Sequence, residues 1–171
     1  MLNIDYVLYL VQTFILNAMI ELALFEPEIP HNTGALMRLC ACLGVTLNLI
    51  QPYGFVLSDK YLKRAAMDYR DLTHVVEYSC WKSFKESKVE KRIIKIDPLG
   101  TQNLFDFQFQ NNDIVLMGKE SIGFPESFAH ELESCPSIHI PMVEGVRSIN
   151  LALSATMILT ESLRQTRYVL S

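Results

Sequence analysis

Three times along this chain a short apolar run empties into a polar, turn-rich loop that opens a helix. The segments are 24–38 (LFEPEIPHNTGALMR), 116–126 (LMGKESIGFPE) and 139–150 (HIPMVEGVRSIN). Ligands in open parallel sheets collect at the carboxyl ends of strands, so three such loops point to one composite site in an α/β domain. In the third segment Ser148 stands where a helix N-cap would sit, just before a long apolar helix pattern.

The rest of the chain supports that class. The 171 residues suit one domain with a single core, half of them apolar and a fifth charged, without the bias of a disordered chain. Apolar runs at 20–26, 45–50, 72–78, 92–96, 113–117 and 137–140 read as strands. Helix patterns at about 33–43, 58–67, 81–87, 125–134 and 151–163 lie between or after them, with Ser58 capping the second and Pro125 in the first turn of the fourth. The alternation gives a mainly parallel sheet with flanking helices. The last helix is apolar on most of its circumference and needs cover on more than one side, for which a second subunit is the natural source.

The first eighteen residues, MLNIDYVLYLVQTFILNA, carry one charge, Asp5. They lack the basic start and small-residue cleavage site of a signal peptide and are at the short end for a bilayer span. The expectation is that Met19 is the true start or that 1–18 is a dispensable apolar appendage, with 19–171 the domain and no stable membrane association.

A formal net charge of −4 argues against non-specific coating of nucleic acid but allows a local basic face. Lys60, Lys63, Arg64 and Arg70 form one basic group, and Lys82, Lys85, Lys88, Lys91, Arg92 and Lys95 a second; either can also be an ordinary solvated helix face. Cys40, Cys42, Cys80 and Cys135 lack the spacing of a zinc site and read as reduced, mostly buried thiols of a cytosolic protein, so no metal is expected.

In the first loop Asn32 or Thr33 can cap the helix, and Arg38 can be a plain exposed helix residue. Taken together, they set a forked cation one helical turn beyond Gly34, where a substrate could approach closely. His31 is a candidate general base because imidazole titrates near neutrality. In the second loop Gly118-Lys119 lacks the upstream glycine and the following Ser or Thr of a phosphate-binding loop, and no GxGxxG follows any strand. What remains is GxExxGxP, in which Glu120 can accept hydrogen bonds from a ribose or an amine.

PEIPHNTG with Arg38, GKESIGFPE and IPMVEGVRSINLALS resemble, in order and spacing, the three signature motifs of the SPOUT superfamily of RNA methyltransferases. The likeness runs from Met19 to about Tyr168 and takes in QPYGF, SDKYLKRAAMDY and the Gly100 turn. Within that superfamily the chain is most similar to the small tRNA 2′-O-methyltransferases acting on cytidine or uridine 34, the wobble nucleotide. It departs from them at Ser121-Ile122, where a Thr-Arg pair is usual, and at Glu144-Gly145-Val146, in place of a Pro-Asp-Ser type run.

The resemblance implies a carboxy-terminal trefoil knot, against the general rule that chains do not thread loops. It also implies S-adenosyl-L-methionine bound at the interface of a homodimer. Ile96, Gly118, Ile140 and Ser148 would contact the cofactor, with Met142 and Leu151 nearby; Arg38, Glu120, Ser148 and Asn150 would form the catalytic set. The implied substrate is the anticodon stem-loop of tRNA, with tRNA-Leu isoacceptors expected, and not DNA, which lacks the 2′-OH. The setting would be cytoplasmic. Because a guanidinium is a poor base, Arg38 would orient and stabilise charge rather than take the proton. A ribosomal RNA substrate, another tRNA position and a catalytically silent RNA binder are the alternatives.

Overall fold

The computed structural model describes residues 20–56 and 74–166. In chain order its elements are β1 (Glu21–Phe25), α1 (Pro30–Leu43), β2 (Thr46–Ile50), β3 (Val75–Tyr78), α2 (Trp81–Ser87), β4 (Arg92–Ile96), β5 (Gln102–Asn103), β6 (Asp113–Met117), a 3-10 turn (Glu126–Glu131), β7 (Ser137–His139) and α3 (Leu151–Thr166). The strands form one all-parallel sheet in the order β3-β2-β1-β6-β4-β7-β5.

Strands buried on both faces read as continuous apolar runs, and every residue of β1 and β6 is buried. Alternate side chains divide the core in two. Leu22 and Leu24 join Leu47, Leu49, Val115 and Met117 under α1 and α3. Ala23 and Phe25 face the other way, onto Ile50, Ile114, Leu116 and the Trp81 and Phe84 side chains of α2. Phe25 is the hub of that second layer, its ring 4.6 Å from Phe128 and 6.1 Å from Trp81. No helix among the described residues is long and apolar enough to cross a membrane.

From β1 the chain runs outward through β2 and β3 and then returns to the far side of β1 to build β4 to β7. The direction of progress reverses at the seam between β1 and β6, where a doubly wound sheet leaves a crevice beyond its strand ends.

Several sequence expectations are revised. Helix α1 starts at Pro30 rather than near Thr33, with extended Ile29 as its cap residue. Proline at the first helical position has its φ preset and no N–H to leave unsatisfied. Asn32 and Thr33 are therefore buried first-turn residues, not caps. The stretch opened by Pro125 is a six-residue 3-10 turn with no buried residue to extend it. The two-residue edge strand β5 has no apolar pattern and was not expected.

Only Cys40 of the four cysteines is buried; Cys42 and Cys80 are exposed and Cys135 is intermediate. Burial pushes the Cys40 thiol up to about 12. The second basic group is largely engaged internally. Lys88 and Lys91 meet Glu21 at 2.6 and 2.8 Å, Arg92 grips Asp113 at 2.7 Å, Lys85 meets Glu131 at 2.8 Å and Lys95 meets Asp97 at 3.2 Å. Residues 1–19, the 58–67 helix pattern, the basic group Lys60, Lys63, Arg64 and Arg70, and Tyr168 lie outside the described residues.

Candidate active site

The carboxyl ends of β1, β4, β6 and β7 open onto one cleft of 650 Å³, within the roughly 300–1,000 Å³ typical of small-molecule pockets. Ile96, Gly118, Glu120, Ile140, Met142, Ser148, Asn150 and Leu151 all line it. Arg38 does not; it lies on an exposed part of α1. His31 is also absent from the lining, and no imidazole among the described residues borders the cleft. His139 instead turns Nδ1 to the Gly100 carbonyl at 2.7 Å.

The loop after β6 is a tight hairpin. Lys119 and Gly123 exchange two 2.9 Å backbone hydrogen bonds, and Gly123 takes the left-handed conformation at φ 68°. A Cβ on Gly118 would lie 2.6 Å from the Gly123 carbonyl carbon, so the strand can enter this turn only with a bare backbone there. That bare backbone faces the cleft.

Hydrogen bonds tie the hairpin to the loop after β1. The Glu120 carboxylate accepts from the Glu28 N–H at 2.8 Å, the Ile29 N–H at 3.4 Å and Asn32 Nδ2 at 3.2 Å. In return the Glu28 carboxylate accepts from the Ser121 N–H and hydroxyl, each at 2.9 Å. The Ser121 hydroxyl contributes most to holding the Glu28 carboxyl below its ordinary range. Lys119 closes the set on Glu26 at 2.9 Å, and that hydrogen bond raises the Lys119 ammonium above its ordinary value.

Asn32, only 8% exposed, links this clamp to the third loop. Its Nδ2 donates to Glu120 and its Oδ1 accepts from Asn150 Nδ2 at 3.1 Å. Asn150 in turn caps α3, its Oδ1 accepting from the Ala152 and Leu153 N–H groups at 2.9 and 3.3 Å. The cap is thus Asn150, not Ser148, which is left exposed on the cleft wall.

Two residues central to this arrangement, Glu28 and Asn32, were not among the predicted site residues. Both sit in the PEIPHN stretch, but their partners are 88 to 118 residues away along the chain. The β4 loop, Asp97 to Leu99, is a further unpredicted wall.

With bare backbone at Gly118, apolar walls at Ile96, Ile140, Met142 and Leu151, and polar groups at Ser148 and Asn150, the cleft suits a ligand with a flat apolar part and a polar tail.

Residues 19–160 match the SpoU rRNA Methylase family. The chain belongs to the SpoU methylase family. Among relatives of this SpoU methylase, it is 42% identical over 149 residues to a tRNA (cytidine(34)-2′-O)-methyltransferase of Ancylobacter novellus, covering 86% of this chain and 93% of that one. It is 37% identical to the enzyme of the same name from Escherichia coli K12, covering 88% and 96%. A solved structure reported for insights into the 2-OH methylation of C/U34 on tRNA superposes with a TM-score of 0.81 at 37% identity, over 87% of this chain and 97% of that one. The SpoU methyltransferase AviRb from Streptomyces viridochromogenes, in complex with AdoMet, shares the fold at a TM-score of 0.78 and 22% identity, over 87% of this chain and 58% of that one.

Proposed function

We propose that this SpoU methylase transfers a methyl group from S-adenosyl-L-methionine to the ribose 2′-OH of cytidine or uridine 34 in tRNA, with tRNA-Leu isoacceptors as substrates in the cytoplasm. The observation that carries this reading is similarity to named wobble methyltransferases over nearly the whole of both chains; all four cleft-forming loops also fall inside the residues that match the family.

The cofactor supplies an activated methyl on a positively charged sulfur. The residues present fit it: Gly118 places main chain in the cleft wall, and Ile96, Ile140, Met142 and Leu151 exclude water from the place where charge on sulfur disappears. Ser148 and Asn150 hold the polar side. Glu120 already accepts three hydrogen bonds from the first loop, so its part is to hold the wall rather than to take the ribose proton. Holding the reacting groups in line contributes up to roughly 7–11 kcal/mol of barrier reduction in favourable systems.

Arg38 does not line the cleft of its own chain. We therefore assign it to the cleft of a second copy, where it would orient the hydroxyl and stabilise charge. The outer face of α3 supports a homodimer, with the apolar Leu153 at 61% and Met157 at 40% exposure. The same reading includes the trefoil knot. Its support is membership of the SpoU methylase family.

The test is transfer of labelled methyl from S-adenosylmethionine to total tRNA, with the product nucleotide mapped. Label at ribose 34 of tRNA-Leu, and none on a 2′-deoxy anticodon stem-loop, is expected. The family's description as rRNA methylases favours ribosomal RNA as the second reading, and label confined to ribosomal RNA would establish it in place of the first.

A further inference from the structure

We propose that Glu28, which lies outside the cleft lining, is a positioning residue for the methyl transfer, because its carboxylate sets where the Gly118–Gly123 wall stands; the inference rests on the function proposed above. The hairpin has two bonds of its own, between Lys119 and Gly123 at its base. Its tip is held from outside. Ser121 N–H and Oγ both donate to the Glu28 carboxylate at 2.9 Å, and the next residue, Ile122, lines the cleft while remaining 64% exposed.

An external brace positions only if it is itself fixed, and the Glu28 backbone is held from two sides. Its N–H donates to Glu120 Oε2 at 2.8 Å. On the other side the turn after β2 closes against it: Gly54 N–H donates to the Pro27 carbonyl at 2.9 Å, and a Cβ on Gly54 would stand 2.8 Å from the Glu28 Cα. The two glutamates are thus reciprocal, each carboxylate accepting backbone N–H from the other's loop. Removing the Glu28 carboxylate leaves Ser121 without its acceptor and loosens the tip at Ser121 and Ile122, while the hairpin base and the bonds of Glu120 to the first loop stay in place.

Hydrogen bonds to a charged acceptor are the stronger kind, and losing this pair should weaken binding of whatever the wall supports by about tenfold or more. The experiment compares full-length wild type, Glu28→Ala, Glu28→Gln and Ser121→Ala by titration with S-adenosylmethionine, by amide exchange and by single-turnover transfer. For Glu28→Ala the expected result is a Kd for S-adenosylmethionine raised about tenfold, together with fast exchange at the Ser121 amide while the Gly123 amide remains protected. Glu28→Gln, which keeps a neutral acceptor, should recover part of the affinity, and Ser121→Ala, which loses one of the two donors, should fall between. A purely structural role would lower thermal stability without this graded loss of affinity.

Unchanged cofactor affinity in Glu28→Ala would overturn the proposal, as would equal loss in Ala and Gln variants or a Ser121 amide equally protected in wild type and Glu28→Ala. Cofactor affinity and exchange are read without RNA. A wild type that binds S-adenosylmethionine and methylates no RNA would therefore overturn the proposed function and leave the Glu28 test standing.

Discussion

Asn32 uses both ends of one amide, donating to Glu120 and accepting from Asn150, so its orientation is set by its partners. Asn32→Asp puts a second carboxylate where Nδ2 now donates to Glu120 at 3.2 Å. Like charges at that separation raise the carboxyl pKa of the pair in the folded state. The stability gap to wild type should therefore be small at low pH and widen as pH rises through the unfolded carboxylate range, reaching about 2 kcal/mol at neutrality in urea titrations. Ile122 offers a different test, because it is an exposed apolar residue on the cleft wall, at a position where the resemblance to the wobble methyltransferases implies arginine. Ile122→Arg should tighten tRNA binding and steepen its salt dependence by about 0.7–0.9 in the log–log slope, the contribution of one added phosphate contact. An unchanged slope would place residue 122 off the RNA path.

At the scale of elements, the Lys119–Gly123 hairpin is shaped by backbone crowding more than by its side chains. Gly118→Ala forces a methyl group to within 2.6 Å of the Gly123 backbone, and the backbone cannot yield as a flexible side chain would. The expected outcome is a loss of S-adenosylmethionine affinity of more than about tenfold in calorimetric titration, with the far-ultraviolet dichroism of the sheet intact. At the opposite end of β1, burial acts to raise the Glu21 carboxyl pKa, but hydrogen bonds from Lys88, Lys91 and Asn48 outweigh it and leave it below its ordinary 4.5. A carboxylate depressed on folding contributes stability that is present above its unfolded value and is lost as pH falls through its folded one. Lys88→Met with Lys91→Met should destabilise the fold by about 3 kcal/mol at pH 7, because it strands a buried charge. That deficit should shrink as pH is lowered below 4.5, measured by urea unfolding across pH.

At the scale of the whole molecule, the residues proposed as the catalytic set are divided. Glu120, Ser148 and Asn150 stand at one cleft, while Arg38 lies elsewhere on the surface. If two copies complete each other, a mixture of Arg38→Ala chains and Ser148→Ala chains, each inactive alone, should regain methyl transfer, since some mixed dimers combine an intact cleft with an intact arginine. Absence of recovery in verified mixed dimers would return Arg38 to its own chain. On the same proposal the exposed Leu153 face of α3 would be the contact, and Leu153→Glu should then lower the mass seen in light scattering to that of one chain while leaving the monomer folded.

The strand–loop–helix grammar was legible in the sequence because it is local. Apolar runs without alternation mark strands buried on both faces, and loops such as PEIPHNTG and GKESIGFPE announce where those strands end. From this the parallel sheet followed, as did the placing of a site at its carboxyl edge; the eight cleft residues from Ile96 to Leu151 came instead from the resemblance to the SPOUT methyltransferases. The work each residue does was not legible. Ser148 read as a cap, but the cap is Asn150, and nothing in the sequence announced that the Glu120 carboxylate accepts hydrogen bonds from Glu28, Ile29 and Asn32. The basic run at 82–95 read as a charged face, yet Glu21, Asp113 and Glu131 engage most of it. For Glu120 and the basic run the physical reason is the same. Periodicity and turn chemistry act over a few residues, whereas such a hydrogen bond or ion pair joins groups that only the folded chain brings together, and the sequence separation between them carries no signal of the meeting.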